Sequence, residues 1–364
     1  MINQIKEIES PSLVFYRYRI VHNIKLLSQS INKLSRLRPH VKTHKTREIT
    51  TLLLEAGITK FKCATIAEAE MLAMCKAPDV LLAYQPVGPH IGRFVQLIQR
   101  YPDTKFSCLV DDFANAELLA AAAQSLKIEI DSYLDMNVGM NRTGIFPDNE
   151  ALKLYEDLTA LNGIHPVGLH AYDGHINDAS LEVRNKKAAE VYQQLLILQK
   201  NIRDKGFQKP ILIAGGTPTF PFYAAREDII CSPGTFILWD YGYQEKYTEQ
   251  AYLTAALVVC RVISLPEAGT ICVDLGHKAV AAENDLSRRV YFLNAPGLIP
   301  LSQSEEHLTL KADKNHNFKI GDVLYGIPVH ICPTCALYTQ ATIVEQNQVI
   351  GNWEIIARNR KINI

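Results

Sequence analysis

Arg38-Pro39-His40-Val41-Lys42-Thr43-His44-Lys45 is the stretch on which the reading of this chain turns. It sets a lysine, Lys42, at the end of a short strand and among basic neighbours. Partial desolvation and nearby cations lower the pKa of an amine, and a lysine that forms a Schiff base needs that. A KxxK pair taken alone more often just decorates a loop, so its meaning depends on its surroundings.

Outward from this segment, between Pro11 and about Asp240, short apolar runs alternate with longer amphipathic ones, the rhythm of βα units around a parallel sheet. Eight strands are predicted: Ser12 to Tyr16, Arg38 to Lys42, Lys60 to Ala64, Val80 to Tyr84, Lys105 to Val110, Glu129 to Leu134, Val167 to His170 and Ile211 to Ala214. Helical patterns fill the gaps, as in Leu118 to Ala123 and Ala188 to Gln199. This count fits an α/β fold of the (β/α)8 TIM-type barrel better than an open sheet, and such barrels place functional groups at the C-terminal ends of their strands. His40 to His44, Asp135 to Gly144, His170 to His175 and Gly215 to Thr219 each follow a predicted strand. After Tyr243 the runs become strand-like without long helices: Leu253 to Leu265, Thr270 to Asp274, Val290 to Phe292, His307 to Leu310, Val323 to Ile327 and Ala341 to Glu345. The expectation is a barrel over residues 1–245 followed by a C-terminal, mainly β domain over residues 246–364.

Composition sets outer bounds. The 364 residues exceed one hydrophobic core, which agrees with a large domain and a smaller one. With 38 basic and 38 acidic residues, net charge directs the chain toward neither nucleic acid nor a membrane surface. No run of about 18 apolar residues occurs, and Met1 to Glu9 carries acidic residues where a signal peptide needs an apolar stretch, so a cytoplasmic address is expected. The eight cysteines are scattered, mostly in apolar runs such as Leu257-Val258-Val259-Cys260, which argues against a disulfide framework.

The Lys42 segment resembles the pyridoxal 5'-phosphate (PLP) motif of the D-threonine aldolase and D-serine dehydratase family, a branch of the fold-type III, alanine racemase-like enzymes. The resemblance runs through nearly the whole chain. Lys60-Phe-Lys-Cys-Ala-Thr-Ile-Ala-Glu-Ala-Glu70 is similar to the family's third-strand segment, and Asp135-Met-Asn-Val-Gly-Met-Asn-Arg-Thr-Gly144 to the one whose arginine, here Arg142, lies near the cofactor's phenolic oxygen. Tyr172-Asp-Gly-His175 fits the next strand, and Ala214-Gly-Gly-Thr-Pro-Thr219 with Ser232-Pro-Gly-Thr235 resembles the two phosphate-holding turns. Asp274-Leu-Gly-His-Lys278, Ser304-Glu-Glu-His307 and Pro328-Val-His-Ile-Cys-Pro-Thr334 fit the β domain.

The chemistry of these residues agrees with that likeness. Backbone N–H groups at Gly215, Gly216 and Thr217 can approach a phosphate unobstructed, with Gly234 and Thr235 completing the cup, although a glycine pair by itself marks any turn. Alanine racemases place an arginine two residues before the phosphate-binding glycine, facing the pyridine nitrogen; this chain has Ser232 there, which leaves that nitrogen less protonated. His330 and Cys332, two apart on what reads as an extended segment, point to one side and suit a divalent metal, Zn or Mn; without the resemblance, a core histidine beside a core cysteine is the better reading. D-serine dehydratase-like members use such a pair as metal ligands.

The resemblance therefore implies a PLP- and metal-dependent lyase on 3-hydroxy D-amino acids, either dehydrating D-serine to pyruvate and ammonia or cleaving D-threonine to glycine and acetaldehyde. Lys42 would take the α-proton in the first reaction. In the second, His175, His277 or a metal-bound water would act on the β-hydroxyl, where a metal lowers the hydroxyl's pKa. His175 has the alternative role of orienting the cofactor. Tyr172 is a further cofactor contact. Asp240, Tyr241 and Asp274 read mainly as structural, Lys278 as a solvated charge or a carboxylate contact, and Ser304 to His307 as either a charge run or support for the metal. A racemase and a non-catalytic PLP carrier are the competing classes. The extra β domain argues against the carrier, and Asp274-Leu-Gly-His-Lys278, where racemases present a tyrosine base, argues against the racemase. The expected partners are a small D-amino acid and, by resemblance, a second copy in a homodimer.

Overall fold

The computed structural model describes residues 2–364. Two compact units interleave along the chain. The barrel unit gathers Leu27–Lys42, Thr50–Gly234 and Asn359–Ile364; the β unit gathers the chain up to Leu26, Thr43–Ile49 and Thr235–Arg358. The contacts thus do not divide at residue 245.

Strand β1 (Ser12–Tyr16) is not a barrel strand, contrary to the expectation above. It lies in the β unit, antiparallel to β9 (Ala256–Glu267) on one side and parallel to the segment Gln340–Glu345 on the other. The pattern that suggested a barrel strand, a fully buried Leu13-Val14-Phe15, is that of any strand with neighbours on both sides, so local sequence cannot choose the sheet.

In the barrel unit, β2 (Lys60–Cys63), β3 (Asp79–Leu82), β4 (Lys105–Val110), β5 (Ile130–Met136), β6 (Ile164–Ala171), β7 (Ile211–Ala214) and β8 (Ile229–Cys231) pair in parallel in that order. β8, only three residues long, escapes sequence reading. Residues 37–40 supply the eighth position. Leu37 bridges Cys231 and His40 bridges Lys62, both in parallel, through Arg38 N–H to Cys231 O and Lys62 N–H to Pro39 O at 2.9 Å each. Pro39 has no N–H to give, which keeps this segment to isolated bridges instead of a full ladder. The circle of parallel pairings is thereby closed.

Leu81, Leu109, Tyr133, Ile213 and Ile230, one from each of five strands, pack into a single apolar cluster. Arg38, 1% exposed, grips Asp79 with both terminal nitrogens at 2.7 and 2.9 Å. Helix starts follow ordinary capping chemistry. Thr65 Oγ1 accepts from Glu68 N–H while Glu68 Oε2 accepts from Ala64 N–H, and Asp112, Asp148 and Ser180 cap the helices Phe113–Ser125, Asn149–Thr159 and Leu181–Asp204.

The β unit continues through β10 (Thr270–Val273), β11 (Val290–Phe292), β12 (Ile299–Gln303), β13 (Leu308–Lys311), β14 (Val323–Pro328), β15 (Gln340–Glu345) and β16 (Gln348–Glu354). The nine strands form one sheet in the order β12-β13-β10-β9-β1-β15-β16, with β14 between β9 and β11. β12 and β16 were missed because both are largely exposed and interrupted, by Pro300 and by Gly351. Val14, Leu257, Val259 and Val344 form a core with Ile2 and Ile8. Among the described residues no helix is long and apolar enough to cross a membrane, and all eight cysteines are free thiols.

Candidate functional site

Two clusters carry the predicted site residues, one in each unit. In the barrel unit Lys42 does not end a strand; it lies in the 3-10 turn Val41–Thr43 that follows residues 37–40. Its Nζ stands 5.7 Å from the centre of the Tyr172 ring. Lys62 Nζ stands at the same 5.7 Å and the Arg142 guanidinium carbon at 5.3 Å, so three cations converge on one aromatic ring. Arg142 is delivered by a loop that Asn137 organises, its Oδ1 accepting from Gly139 N–H at 3.2 Å and Asn141 N–H at 3.1 Å.

Beside these cations lies a buried acid and imidazole pair. His170 Nδ1 meets Asp135 Oδ1 at 2.8 Å, and Thr143 Oγ1 donates to Asp135 Oδ2 at 2.8 Å. Burial lowers the pKa of His170, opposed by the bond to Asp135. Its Nε2 is buried with no hydrogen-bond partner among the described residues. Asp173, 1% exposed, accepts from Thr219 Oγ1 at 3.0 Å, and burial raises its pKa to about 6 against the pull of that bond. Neither pair was singled out from sequence. Asp135, His170 and Asp173 lie within the motifs at the ends of β5 and β6, and the burial that distinguishes them is not legible in the sequence.

The two turns expected to hold a phosphate lie side by side. Gly215 takes φ +81°, and a Cβ there would meet Tyr223 Cδ2 at 2.7 Å; a Cβ on Gly216 would press on the Tyr172 ring at 3.2 Å. Thr217 bridges the two turns, its Oγ1 accepting from Gly234 N–H at 3.0 Å, and Gly216 N–H is held by Thr219 Oγ1 at 3.3 Å. These two N–H groups, assigned to a phosphate above, thus also have threonine hydroxyls at hand. Ser232 is buried and its Oγ has no partner among the described residues. Such orphaned groups cost free energy unless a ligand meets them. Ser232 Oγ, His170 Nε2 and the side-chain-free turn at Gly215 and Gly216 fit a polar aromatic ligand with an anionic tail, which is what PLP is. His175 is exposed, and its imidazole packs on Gly139, where a Cβ would lie 2.7 Å from Nε2.

In the β unit His330 and Cys332 do come together, although not on an extended segment. His330 is the N-cap of the helix Ile331–Leu337 and Cys332 lies in its first turn. His330 Nδ1 meets Glu283 Oε1 at 2.5 Å. Burial works to lower the pKa of this imidazole, but the hydrogen bond and charge of Cys332, with Asp240 and Glu283, raise it to about 9. Thr43 Oγ1 and Thr235 Oγ1 lie 3.2 and 3.7 Å from Cys332 Sγ, so Thr235, expected to hold phosphate, has a thiol as its neighbour. An imidazole and a thiol in mutual reach, with a carboxylate fixing the ring, fit a divalent metal as a two-ligand open site. Among the described residues no cluster of three or more His, Cys, Asp or Glu ligands occurs.

The carboxylate that meets the His330 imidazole is Glu283, rather than one from Ser304 to His307. Glu305 and Glu306 are spent on exposed Lys278 at 2.7 and 3.0 Å. His277 is exposed. Asp240 and Asp274 are structural. Asp240 caps the helix Tyr241–Lys246 through Tyr243 N–H and the next through Ile331 N–H, both at 3.0 Å; Asp274 accepts from Arg261 N–H at 2.6 Å and Ser10 Oγ at 2.5 Å.

The chain is similar to known proteins over nearly its whole length. The chain is 27% identical to a D-threonine aldolase of Arthrobacter sp over 97% of its own length and 94% of the relative's. The crystal structure of D-threonine aldolase from Filomicrobium marinum superposes with a TM-score of 0.88 at 24% identity, covering 97% of each chain. D-threo-3-hydroxyaspartate dehydratase from Delftia sp. HT23 superposes with a TM-score of 0.83 at 22% identity, covering 96% of this chain and 98% of that one. That dehydratase has been solved with a histidine replaced by alanine and, in the metal-free form, with a cysteine two positions further on replaced by alanine. The family model for the alanine racemase N-terminal domain matches residues 17–241, and the one for a serine dehydratase domain matches residues 255–344. As the first spans more than half of its length, the chain belongs to the alanine racemase-like, fold-type III family of PLP-dependent proteins, in the form that carries a serine dehydratase domain.

Proposed function

We propose that this protein is a PLP- and divalent-metal-dependent lyase that breaks a bond at the β-carbon of 3-hydroxy D-amino acids, by dehydration first and retro-aldol cleavage second. The observation that carries the reading is the meeting of His330 and Cys332 at one helix start, with Glu283 on the imidazole's Nδ1. A racemase has no use for such a pair. The Delftia dehydratase was altered at a histidine and a cysteine with the same spacing, the second in a metal-free form, which favours dehydration. The likeness to the Arthrobacter aldolase supports retro-aldol cleavage.

PLP, when bound, supplies an electron sink for charge at the substrate's α-carbon. Lys42 would hold it, and the Lys42 amine would take the α-proton. The Cβ-free turn at Gly215 and Gly216, with Gly234 and the hydroxyls of Thr217 and Thr235, would hold the phosphate, while Gly215 N–H stays with Ala171 O; Ser232 would give a neutral hydroxyl to the pyridine nitrogen and Arg142 a positive charge to the phenolic oxygen. Tyr172 gives the ring a flat neighbour. His330 and Cys332 would hold the metal, Zn or Mn, whose chemistry is to stabilise negative charge on the β-oxygen. The working form is a homodimer.

The test is direct. Purified protein is incubated with D-serine, D-threonine and D-threo-3-hydroxyaspartate, with and without EDTA, and pyruvate, oxaloacetate, glycine and acetaldehyde are assayed. A keto acid that disappears with EDTA supports the dehydratase, and glycine with an aldehyde supports the aldolase. Racemisation without any of these products overturns the proposal.

A further inference from the structure

Lys62 has no role in the function set out above, yet it is the most deeply placed of the three cations around Tyr172. It is 2% exposed, and a fully buried lysine is rare unless something answers its charge. Its position is locked, since His40 bridges Lys62 in parallel and Lys62 N–H donates to Pro39 O at 2.9 Å, tying β2 to the segment that bears Lys42. Nothing in the fold of a barrel requires an amine here; the neighbouring strand has Leu81 at the paired position.

We propose that Lys62 is a second working amine of the cofactor site, which takes up a proton from solvent when the anionic cofactor enters, while Lys42 keeps the covalent role. The inference rests on the assignment of PLP to Lys42 made above.

The groups that face Lys62 leave it evenly poised. Lys42 and Arg38 from residues 38–42 disfavour its charge, as burial does most strongly, while Asp135 on β5 and Asp173 after β6 favour it. The positive Arg142 faces the same ring, and buried His170 lies near enough to feel the ammonium. The balance brings the amine down to about 7. A ligand bearing phosphate and phenolate charge tips that balance toward the ammonium, and the bound proton in turn tightens the ligand. Only the N–H bond formed on Lys62 changes.

The experiment compares PLP affinity of the full-length protein and of Lys62→Met, by calorimetric titration between about pH 6.5 and 9.5, in buffers of different ionisation heat. If the proposal holds, the ratio of variant to wild-type Kd is near one at the alkaline end and rises to about tenfold at the acid end, as loss of a charged contact predicts. Wild type also takes up more protons per PLP than the variant. Lys62→Gln repeats the measurement should the methionine variant fold poorly. A flat ratio with equal proton uptake, in proteins whose borohydride-trapped adduct maps to residue 42, overturns the role of Lys62 and leaves the cofactor assignment standing. An adduct absent from residue 42 overturns both.

Discussion

His170 turns its Nδ1 to Asp135 at 2.8 Å and keeps its Nε2 buried with no hydrogen-bond partner among the described residues, so the structural bond of this imidazole lies on one side only. Asp135 also receives Thr143, one residue after Arg142, and through it the Arg142 loop is tied to the strand ends. Asp135→Asn is expected to lower stability by roughly 1–3 kcal/mol, since it weakens two buried bonds to a charged acceptor, and Thr143→Val by about 1 kcal/mol. Urea unfolding with an unchanged m-value checks both, and a larger loss in Thr143→Val than in Asp135→Asn would contradict this account.

Lys42→Ala is expected to abolish the borohydride-trapped PLP adduct and to reduce lyase activity by at least about a thousandfold, because the attachment point and the α-proton acceptor disappear together. Peptide mass mapping of the reduced holoprotein decides it. An adduct that survives the substitution sinks the assignment.

Asp173 makes the stability depend on pH. Its folded pKa, about 6, lies above the usual carboxyl value of 3.8, so its stabilising contribution is complete below about pH 3.8 and is lost as pH rises through 6. Holding the proton from pH 3.8 up to about 6 corresponds to roughly 3 kcal/mol. Asp173→Asn still accepts from Thr219 but has no proton to lose, so its melting temperature should gain on wild type between pH 4 and 7. A difference independent of pH counts against burial as the cause.

Glu283 sets the imidazole that faces Cys332. Glu283→Gln should weaken metal affinity by about 10–100-fold, the usual effect of losing the carboxylate behind a ligating histidine. Competition with a chelating dye measures this without any assay of activity.

Asp240→Ala removes a buried carboxylate that accepts from Tyr243 and Ile331 and caps two helix starts. A loss of roughly 2–4 kcal/mol is expected from two missing caps. Thermal unfolding tests it; a loss below half of that would mean that water takes over the two N–H groups once the carboxylate is gone.

What the sequence determined by itself is everything that repeats over a few residues or sits in one turn. The alternation of apolar strands and amphipathic helices from Lys60 to Ala214, the glycines before Thr217, and the lysine after Pro39 follow from local sterics and solubility, which neighbouring residues settle among themselves. Only the tertiary structure decided pairings between distant segments. It put β1 beside β9, closed the barrel with residues 37–40 and the short β8, brought Glu283 to His330, and set Lys62 against the Tyr172 ring. Such contacts depend on which of several equally apolar strands is neighbour to which, and on how deeply a charged side chain is buried, quantities that no short window of residues contains.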